Sequence, residues 1–268
     1  MVEVNAIFSG CNCELQVFDY NDQTRRIAYG AGNTVAITTP FSNNLDVRVC
    51  QTLKSHTAIV TVVKWLPDHQ LLISGAEDGV TNIWKYTDDG TFSIKQTFEE
   101  DEDKSSITCM SSPAGDEKIL IVGRASGAVE VWSMAEDGSE KFSLFGKFEI
   151  NSEFYPLSVS AIEVRPAQLV VFVGGTKPNL YVYSLDLNNA ESITCAAKLE
   201  GHEDWIRALA VKRIDEDEFV IASGSQDRWI RLWKLCLNEK IDNSDQDKSK
   251  LRLLSNKLYK FTIGGSTR

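Results

Sequence analysis

The chain has 268 residues, of which 43% are hydrophobic and 25% are charged, proportions that are ordinary for a globular protein. Its formal net charge of −10 repels phosphate groups, so we expect no strong independent binding to nucleic acid and no attachment to an anionic membrane. No apolar run reaches the roughly 20 residues that a transmembrane helix needs. The first residues show neither the basic segment nor the cleavage site of a signal peptide.

The six cysteines are scattered along the chain and form no CxxC motif. Closed metal sites need ligands at short, regular spacings, so the sequence predicts neither a metal site nor a disulfide framework. Reduced thiols are usual inside cells. We therefore expect the protein in the cytoplasm or the nucleus.

A pattern of strand, tight turn and strand recurs along the chain. In chain order, its copies lie at residues 25–40, 71–86, 118–134, 169–185 and 220–235. The second and fifth copies agree best, since both have a Ser ten residues and an Asp six residues before a Trp. The other copies are eroded: Thr38 and Tyr183 replace the Trp in the first and fourth, and the third keeps Trp132 but has Ser126 in place of the Asp.

The stretches around these copies alternate apolar and polar residues with a period of two and are rich in β-branched side chains, which favours strands over helices. They precede the copies at 60–65, 107–112, 157–164 and 206–212, and follow them at 47–53, 92–98, 145–150 and 193–199. A last candidate strand, with room for a second, lies within 251–263. Four strands in each repeat of about fifty residues are typical of β-propeller blades.

The Gly-His dipeptide at 201–202, followed by Trp233, resembles a WD repeat, and His56 occupies the matching place before Trp84. The sequence thus predicts an all-β, WD40-type β-propeller of about five four-stranded blades within residues 1–263, followed by a tail at 264–268. The blades are expected at about residues 9–54, 55–98, 104–150, 157–199 and 202–263.

In WD repeats, the blade His, Ser, Asp and Trp form one buried hydrogen-bond chain, in which each polar atom is satisfied by the next. The resemblance implies this structural role for two tetrads: His56, Ser74, Asp78 and Trp84, and His202, Ser223, Asp227 and Trp233. The alternative, a hydrolytic Ser-His-Asp triad in the fifth copy, is disfavoured. A second copy has the same offsets, and neither serine lies in a G-x-S-x-G nucleophile elbow. We expect no catalytic residue, no cofactor and no enzyme activity.

Longer segments extend the resemblance over nearly the whole chain. They include RRIAYGAGNTVAI near the start, SGAEDGVTNIWKYTDDG, VGGTKPNLYVYS and SGSQDRWIRLWKL. With these segments the chain resembles the first propeller of the family of second subunits of the Elongator complex. That resemblance implies a non-catalytic scaffold that bridges the largest and the catalytic subunits during modification of wobble uridines in tRNA. It also implies that five blades are part of a seven-bladed ring.

Partners of propellers usually bind the loops at one rim. The residues that flank the tetrad of the fifth copy are therefore the candidate partner-binding residues: Trp205, Arg207, Gln226, Arg228 and Trp229. Trp and Arg are enriched at the centres of protein interfaces. Glu77 and Lys64 of the second copy are further candidates. A generic WD adaptor that binds peptides or tubulin-like proteins is the alternative function.

Overall fold

The computed structural model describes residues 10–39, 49–66, 70–98, 104–113, 117–135, 137–151, 153–237 and 252–259. The predicted tail at 264–268 lies outside these residues. Twenty strands are described, and they form five four-stranded sheets in which each strand is antiparallel to its neighbour along the chain. The predicted fold class is confirmed, because the sheets are those of a WD40 β-propeller. We call them blades 1 to 5 in chain order.

The chain divides into two compact units, and the first unit, Met1–Ser111 with Glu117–Glu153, contains blades 1 to 3. Blade 1 consists of β1 (Phe18–Asn21), β2 (Arg26–Ala31), β3 (Thr34–Thr38) and β4 (Val49–Lys54). Blade 2 consists of β5 (Val60–Leu66), β6 (Leu71–Ala76), β7 (Thr81–Tyr86) and β8 (Phe92–Phe98). Blade 3 consists of β9 (Ile107–Ser111), β10 (Ile119–Arg124), β11 (Ala128–Met134) and β12 (Phe142–Glu149).

The second unit, Ser112–Asp116 with Phe154–Arg268, contains blades 4 and 5. Blade 4 consists of β13 (Pro156–Arg165), β14 (Gln168–Gly175), β15 (Leu180–Asp186) and β16 (Asn189–Leu199). Blade 5 consists of β17 (Ile206–Asp215), β18 (Glu218–Ser225), β19 (Ile230–Cys236) and β20 (Arg252–Tyr259). One strand is thus described within the stretch 251–263. In the part of the chain that is described, no helix is long and apolar enough to span a membrane.

The Trp, Tyr or Thr that marks each sequence repeat lies on the third strand of its blade. In blades 1 to 4, the pairing of the third with the fourth strand shifts by one residue directly before the marker. The shifts fall between Ile37 and Thr38, Ile83 and Trp84, Val131 and Trp132, and Val182 and Tyr183. A bulge of this kind re-aims the side chain that follows it. In these four blades, the sequence repeat of about fifty residues is therefore also the repeat of one backbone irregularity.

Neighbouring blades within a unit meet where a β-branched side chain faces a glycine. A Cβ added at Gly75 on β6 would lie 2.6 Å from Cγ2 of Ile107, the first residue of β9. A Cβ at Gly174 on β14 would lie 2.5 Å from Cγ2 of Ile206, the first residue of β17. Both isoleucines are fully buried. Glycine at this position lets the first strand of the next blade approach the sheet closely.

Candidate functional site

The tetrad of blade 2 is a continuous buried chain of hydrogen bonds. Trp84 Nε1 donates to Ser74 Oγ over 2.9 Å, and Ser74 Oγ lies 2.8 Å from Nε2 of His56. Nδ1 of His56 lies 3.3 Å from both carboxylate oxygens of Asp78. Because the ionised Asp78 carboxylate can only accept, a neutral His56 donates Nδ1–H to it, and Nε2 is then left to accept the proton of the Ser74 hydroxyl. The chain therefore runs in one direction, from the indole to the carboxylate.

Asp78 fastens this chain to the backbone of the blade's rim. Its carboxylate accepts hydrogen bonds from the amides of Thr57, at 2.8 Å, and Val80, at 3.0 Å. Burial alone would raise the pKa of the Asp78 carboxyl, but these amide bonds and the contact with His56 together hold it below its ordinary value. Burial lowers the pKa of the His56 imidazole, against the opposing effect of Asp78. Near neutral pH the network therefore holds an ionised aspartate and a neutral histidine.

Blade 5 repeats this arrangement with a shorter contact between the histidine and the aspartate. His202 places Nδ1 2.7 Å from Oδ2 of Asp227 and Nε2 2.8 Å from Oγ of Ser223. Trp233 Nε1 donates to the same Ser223 oxygen over 2.8 Å. Asp227 accepts hydrogen bonds from the amides of Glu203 and Trp229, and these bonds, together with His202, outweigh burial and lower the pKa of the Asp227 carboxyl.

The geometry around Ser223 is that of a structural network rather than a hydrolytic site. Ser223 is fully buried, and its oxygen already accepts the indole proton of Trp233. A nucleophilic serine must reach a substrate carbonyl with a lone pair that is available for attack. Among the described residues, no group of three or more His, Cys, Asp and Glu side chains is arranged to hold a metal ion.

Blade 3 has a different buried network, which the sequence did not predict. Trp132 Nε1 donates to Oε2 of Glu130 over 3.0 Å, and the other carboxylate oxygen of Glu130 accepts from Nε of Arg124. The guanidinium also donates to the carbonyl oxygens of Gly79, at 3.1 Å, and Ser105, at 3.3 Å. An ion pair thus replaces the Ser-His-Asp chain. The signal in the sequence is the unlike charges of Arg124 and Glu130 on two adjacent apolar strands.

Blade 4 lacks the tetrad and has a buried aromatic ring near the position of the tetrad histidine. Phe154 is fully buried 29 residues before Tyr183, close to the interval that separates the tetrad His and Trp in the other blades. Its ring packs edge-on against Tyr181 with 5.2 Å between centroids. Burial raises the pKa of the Tyr183 hydroxyl to about 12, with smaller contributions from the nearby Cys195 and Tyr181. The phenol therefore remains protonated.

Three of the five predicted partner-binding residues form one cluster at the rim of blade 5. The Arg207 guanidinium lies 5.1 Å from the centre of the Trp205 ring, and its Nε and Nη2 donate to Oε1 of Gln226 over 3.3 Å and 3.0 Å. The backbone N–H of Gln226 in turn donates to the backbone carbonyl of Trp205 over 2.9 Å. The Trp205 side chain is 40% exposed. We call Trp205, Arg207 and Gln226 the rim cluster.

The other candidates occupy different environments. Arg228 is exposed in the same turn as Gln226 and has a positive φ of 72°, and Trp229 is half-buried beside it. Glu77 is exposed at the rim of blade 2. Lys64 lies 3.5 Å from Oδ2 of Asp19, in an ion pair between β5 and β1.

Comparison with known proteins agrees with this geometry. The family model described as "WD domain, G-beta repeat" matches residues 47–85 and 193–234, the two stretches that hold the tetrads. The chain therefore contains WD40 repeats. It is 37% identical over 98% of its length to Elongator complex protein 2 of Saccharomyces cerevisiae, of which it covers 33%. It is 26% identical to the proteins of the same name from Schizosaccharomyces pombe, over 98% of the chain and 33% of that protein, and Drosophila melanogaster, over 80% and 27%. The chain thus spans about a third of the length of these relatives.

Proposed function

We propose that this WD40-repeat chain is a non-catalytic scaffold in an Elongator-type complex, where it supports the modification of wobble uridines in tRNA by bridging the largest and the catalytic subunits. The observation that carries the proposal is the similarity to Elongator complex protein 2 over 98% of the chain. The two buried tetrads support a scaffold role, because their polar groups are used to hold the rims of blades 2 and 5 in place.

The rim cluster is the surface that we propose for one of these contacts. Its aromatic ring is partly exposed and packs against the Arg207 guanidinium, whose position is in turn held by the side chain of Gln226. A side chain that is ordered before binding loses little conformational entropy on association. Together with Arg228, the cluster offers one aromatic ring and two positive charges, which suits a partner surface with an apolar pocket bordered by carboxylates.

Co-purification from cells tests the proposal. The tagged chain is recovered at low salt, and its partners are identified by mass spectrometry. We expect Elongator subunits with the wild-type chain, reduced recovery with the double variant Arg207→Glu/Arg228→Glu, and wild-type recovery with the matched variant Arg165→Glu. Arg165 is exposed in the same unit, at the far end of β13 from Pro156.

Recovery of other proteins without any Elongator subunit would favour a generic WD adaptor for peptides or tubulin-like partners. Wild-type recovery of Elongator subunits by the double variant would leave the scaffold role standing and overturn the rim cluster as the contact. Fluorescence microscopy of the tagged chain tests the further proposal that it resides in the cytoplasm or the nucleus.

A further inference from the structure

The fourth strands of blades 1 to 3 each carry an exposed aliphatic side chain at one register position. Each of these side chains belongs to the residue that pairs with the marker residue of its blade, and they are Val49, Ile94 and Leu144. They are 45%, 45% and 41% exposed. We call Val49, Ile94 and Leu144 the wall row.

Two glutamine clamps hold the strands of the wall row side by side. Nε2 of Gln51, on β4, donates to the carbonyl of Phe92 over 3.2 Å, and its Oε1 accepts from the amide of Phe92 over 3.0 Å. Gln96, on β8, makes the same two bonds with Phe142, at 2.7 Å and 2.9 Å. Blade 2 is therefore joined to a neighbour on each side, and the exposure of its outer strand is a property of the complete blade.

The wall row is particular to the first unit. Blade 4 has Cys195 opposite its marker residue, and blade 5 has Asn256. A propeller blade thus does not require an aliphatic side chain at this place. A single exposed apolar residue is ordinary on a protein surface, but a contiguous apolar row marks an interaction site. Ile94 and Leu144 each lie two residues, or about 7 Å along the strand, from the clamp between Gln96 and Phe142.

The strands of the wall row carry more positive than negative charge. Their charged residues are Lys54, Lys95, Lys147 and Glu149. Glu140, just before β12, adds one carboxylate, and it forms ion pairs with Lys85 and Lys95. The local balance is thus positive on a chain whose net charge is −10. Electrostatic complementarity favours an acidic partner at this surface.

The edges of β8 and β12 are poorly suited to the addition of a further strand. The clamps occupy the backbone groups that Phe92 and Phe142 would offer to such a strand. Beside Ile94 and Leu144, bulges leave Lys95 and Phe145 out of the pairing with the third strand. Capped and bulged edges resist strand addition. A partner at the wall row therefore binds through side chains, as an amphipathic helix does.

We propose that the wall row docks an acidic amphipathic helix of a partner protein. The apolar side chains of the helix cover Ile94 and Leu144, and its carboxylates face Lys54 and Lys147. The wall row belongs to the first unit and the rim cluster to blade 5, so this docking surface goes beyond the scaffold proposal and does not depend on it.

Photo-cross-linking of the full chain in cells tests this docking surface. The probe is a benzophenone-bearing amino acid at position 144 or, as the matched control, at position 195, which has the same register in blade 4 and is also exposed. Mass spectrometry identifies the cross-linked peptides after irradiation. We expect position 144 to capture a segment that is rich in Glu and Asp and has apolar residues at helical spacing. Position 195 should not capture that segment.

A second substitution tests whether the captured segment lies on the wall row. Ile94→Asp should lower the cross-linking yield at position 144 about tenfold, because the helix would bury an unpaired charge. Ile214→Asp is its matched control and should leave the yield unchanged, since Ile214 is 58% exposed on β17 in the second unit. Circular dichroism verifies that the variants fold, and Ile94→Ser replaces Ile94→Asp if that variant does not.

The outcomes separate this proposal from the scaffold proposal. An acidic helix from an Elongator subunit would support both, and an acidic helix from a different protein would support the wall row alone. No cross-link at position 144, capture of a basic or non-helical segment, or an unchanged yield in Ile94→Asp would each overturn the proposal.

Discussion

Arg124 and Glu130 form a fully buried ion pair in blade 3, and the indole of Trp132 donates to the same carboxylate. Blades 2 and 5 use Ser, His and Asp to satisfy the same indole donor. Three blades therefore have a Trp at the same position of the third strand. Its indole N–H donates to a serine hydroxyl in two of them and to a glutamate carboxylate in the third.

We predict that Glu130→Gln destabilises the fold by about 3–5 kcal/mol, because it leaves the Arg124 charge buried without its counter-ion. The measurement is the free energy of unfolding from urea denaturation. The double variant Arg124→Met/Glu130→Leu removes both charges and should cost less than Glu130→Gln alone. If the double variant is the more damaged of the two, the ion pair is not what makes the single change costly.

Ser74→Ala should lower the free energy of unfolding by about 1–3 kcal/mol, since it removes the acceptor of the buried Trp84 indole and the partner of His56. A double-mutant cycle with Trp84→Phe isolates the contact between Ser74 and Trp84. Strict additivity of the two changes would show that the indole and the hydroxyl do not interact.

The stability of the fold should decrease as the pH falls below about 6.5, the ordinary pKa of histidine. Burial lowers the pKa of the folded His56 imidazole, so the unfolded chain binds the proton more readily. Acidification therefore stabilises the unfolded chain relative to the fold. The loss continues until the pH reaches the lowered pKa of the folded state. Melting temperatures over this range should change less in His56→Gln than in the wild type. Equal pH dependence in the two proteins would contradict a buried neutral His56.

Gly75→Ala should destabilise unit 1 by about 1–3 kcal/mol, because the new Cβ meets Cγ2 of Ile107 at 2.6 Å. Ile107→Ala removes that methyl group, so the two changes together should cost less than the sum of their separate effects. Gly224→Ala serves as the control and should be nearly neutral. Additive costs would show that the side chain added at position 75 does not meet Ile107.

The sequence predicts the elements of this fold well, because the period-two pattern and the recurrence of a marker residue about every fifty residues can both be read from the sequence. The Ser and Asp offsets to Trp84 and Trp233 likewise identify the residues that the structure joins in the two tetrads. The Arg124–Glu130 pair was missed because nothing local distinguishes two buried charges from two solvated ones.

For the rim cluster, the sequence suggested the residues but not the contacts between them. The types of its residues and their position beside a tetrad pointed to Trp205, Arg207 and Gln226. Their mutual contacts follow from register, because β17 and β18 place Ile206 opposite Ser225 and so bring the two turns that flank them together.

Hydrogen exchange of the chain, alone and with the purified largest Elongator subunit, tests the central claim most directly. The account predicts slower amide exchange on binding in the two turns that carry the rim cluster, residues 203–207 and 226–229. The amides of Arg207→Glu/Arg228→Glu should show no such slowing. Slowing confined to other parts of the chain, with these two turns unchanged, would contradict the claim that blade 5 contacts its partner through the rim cluster.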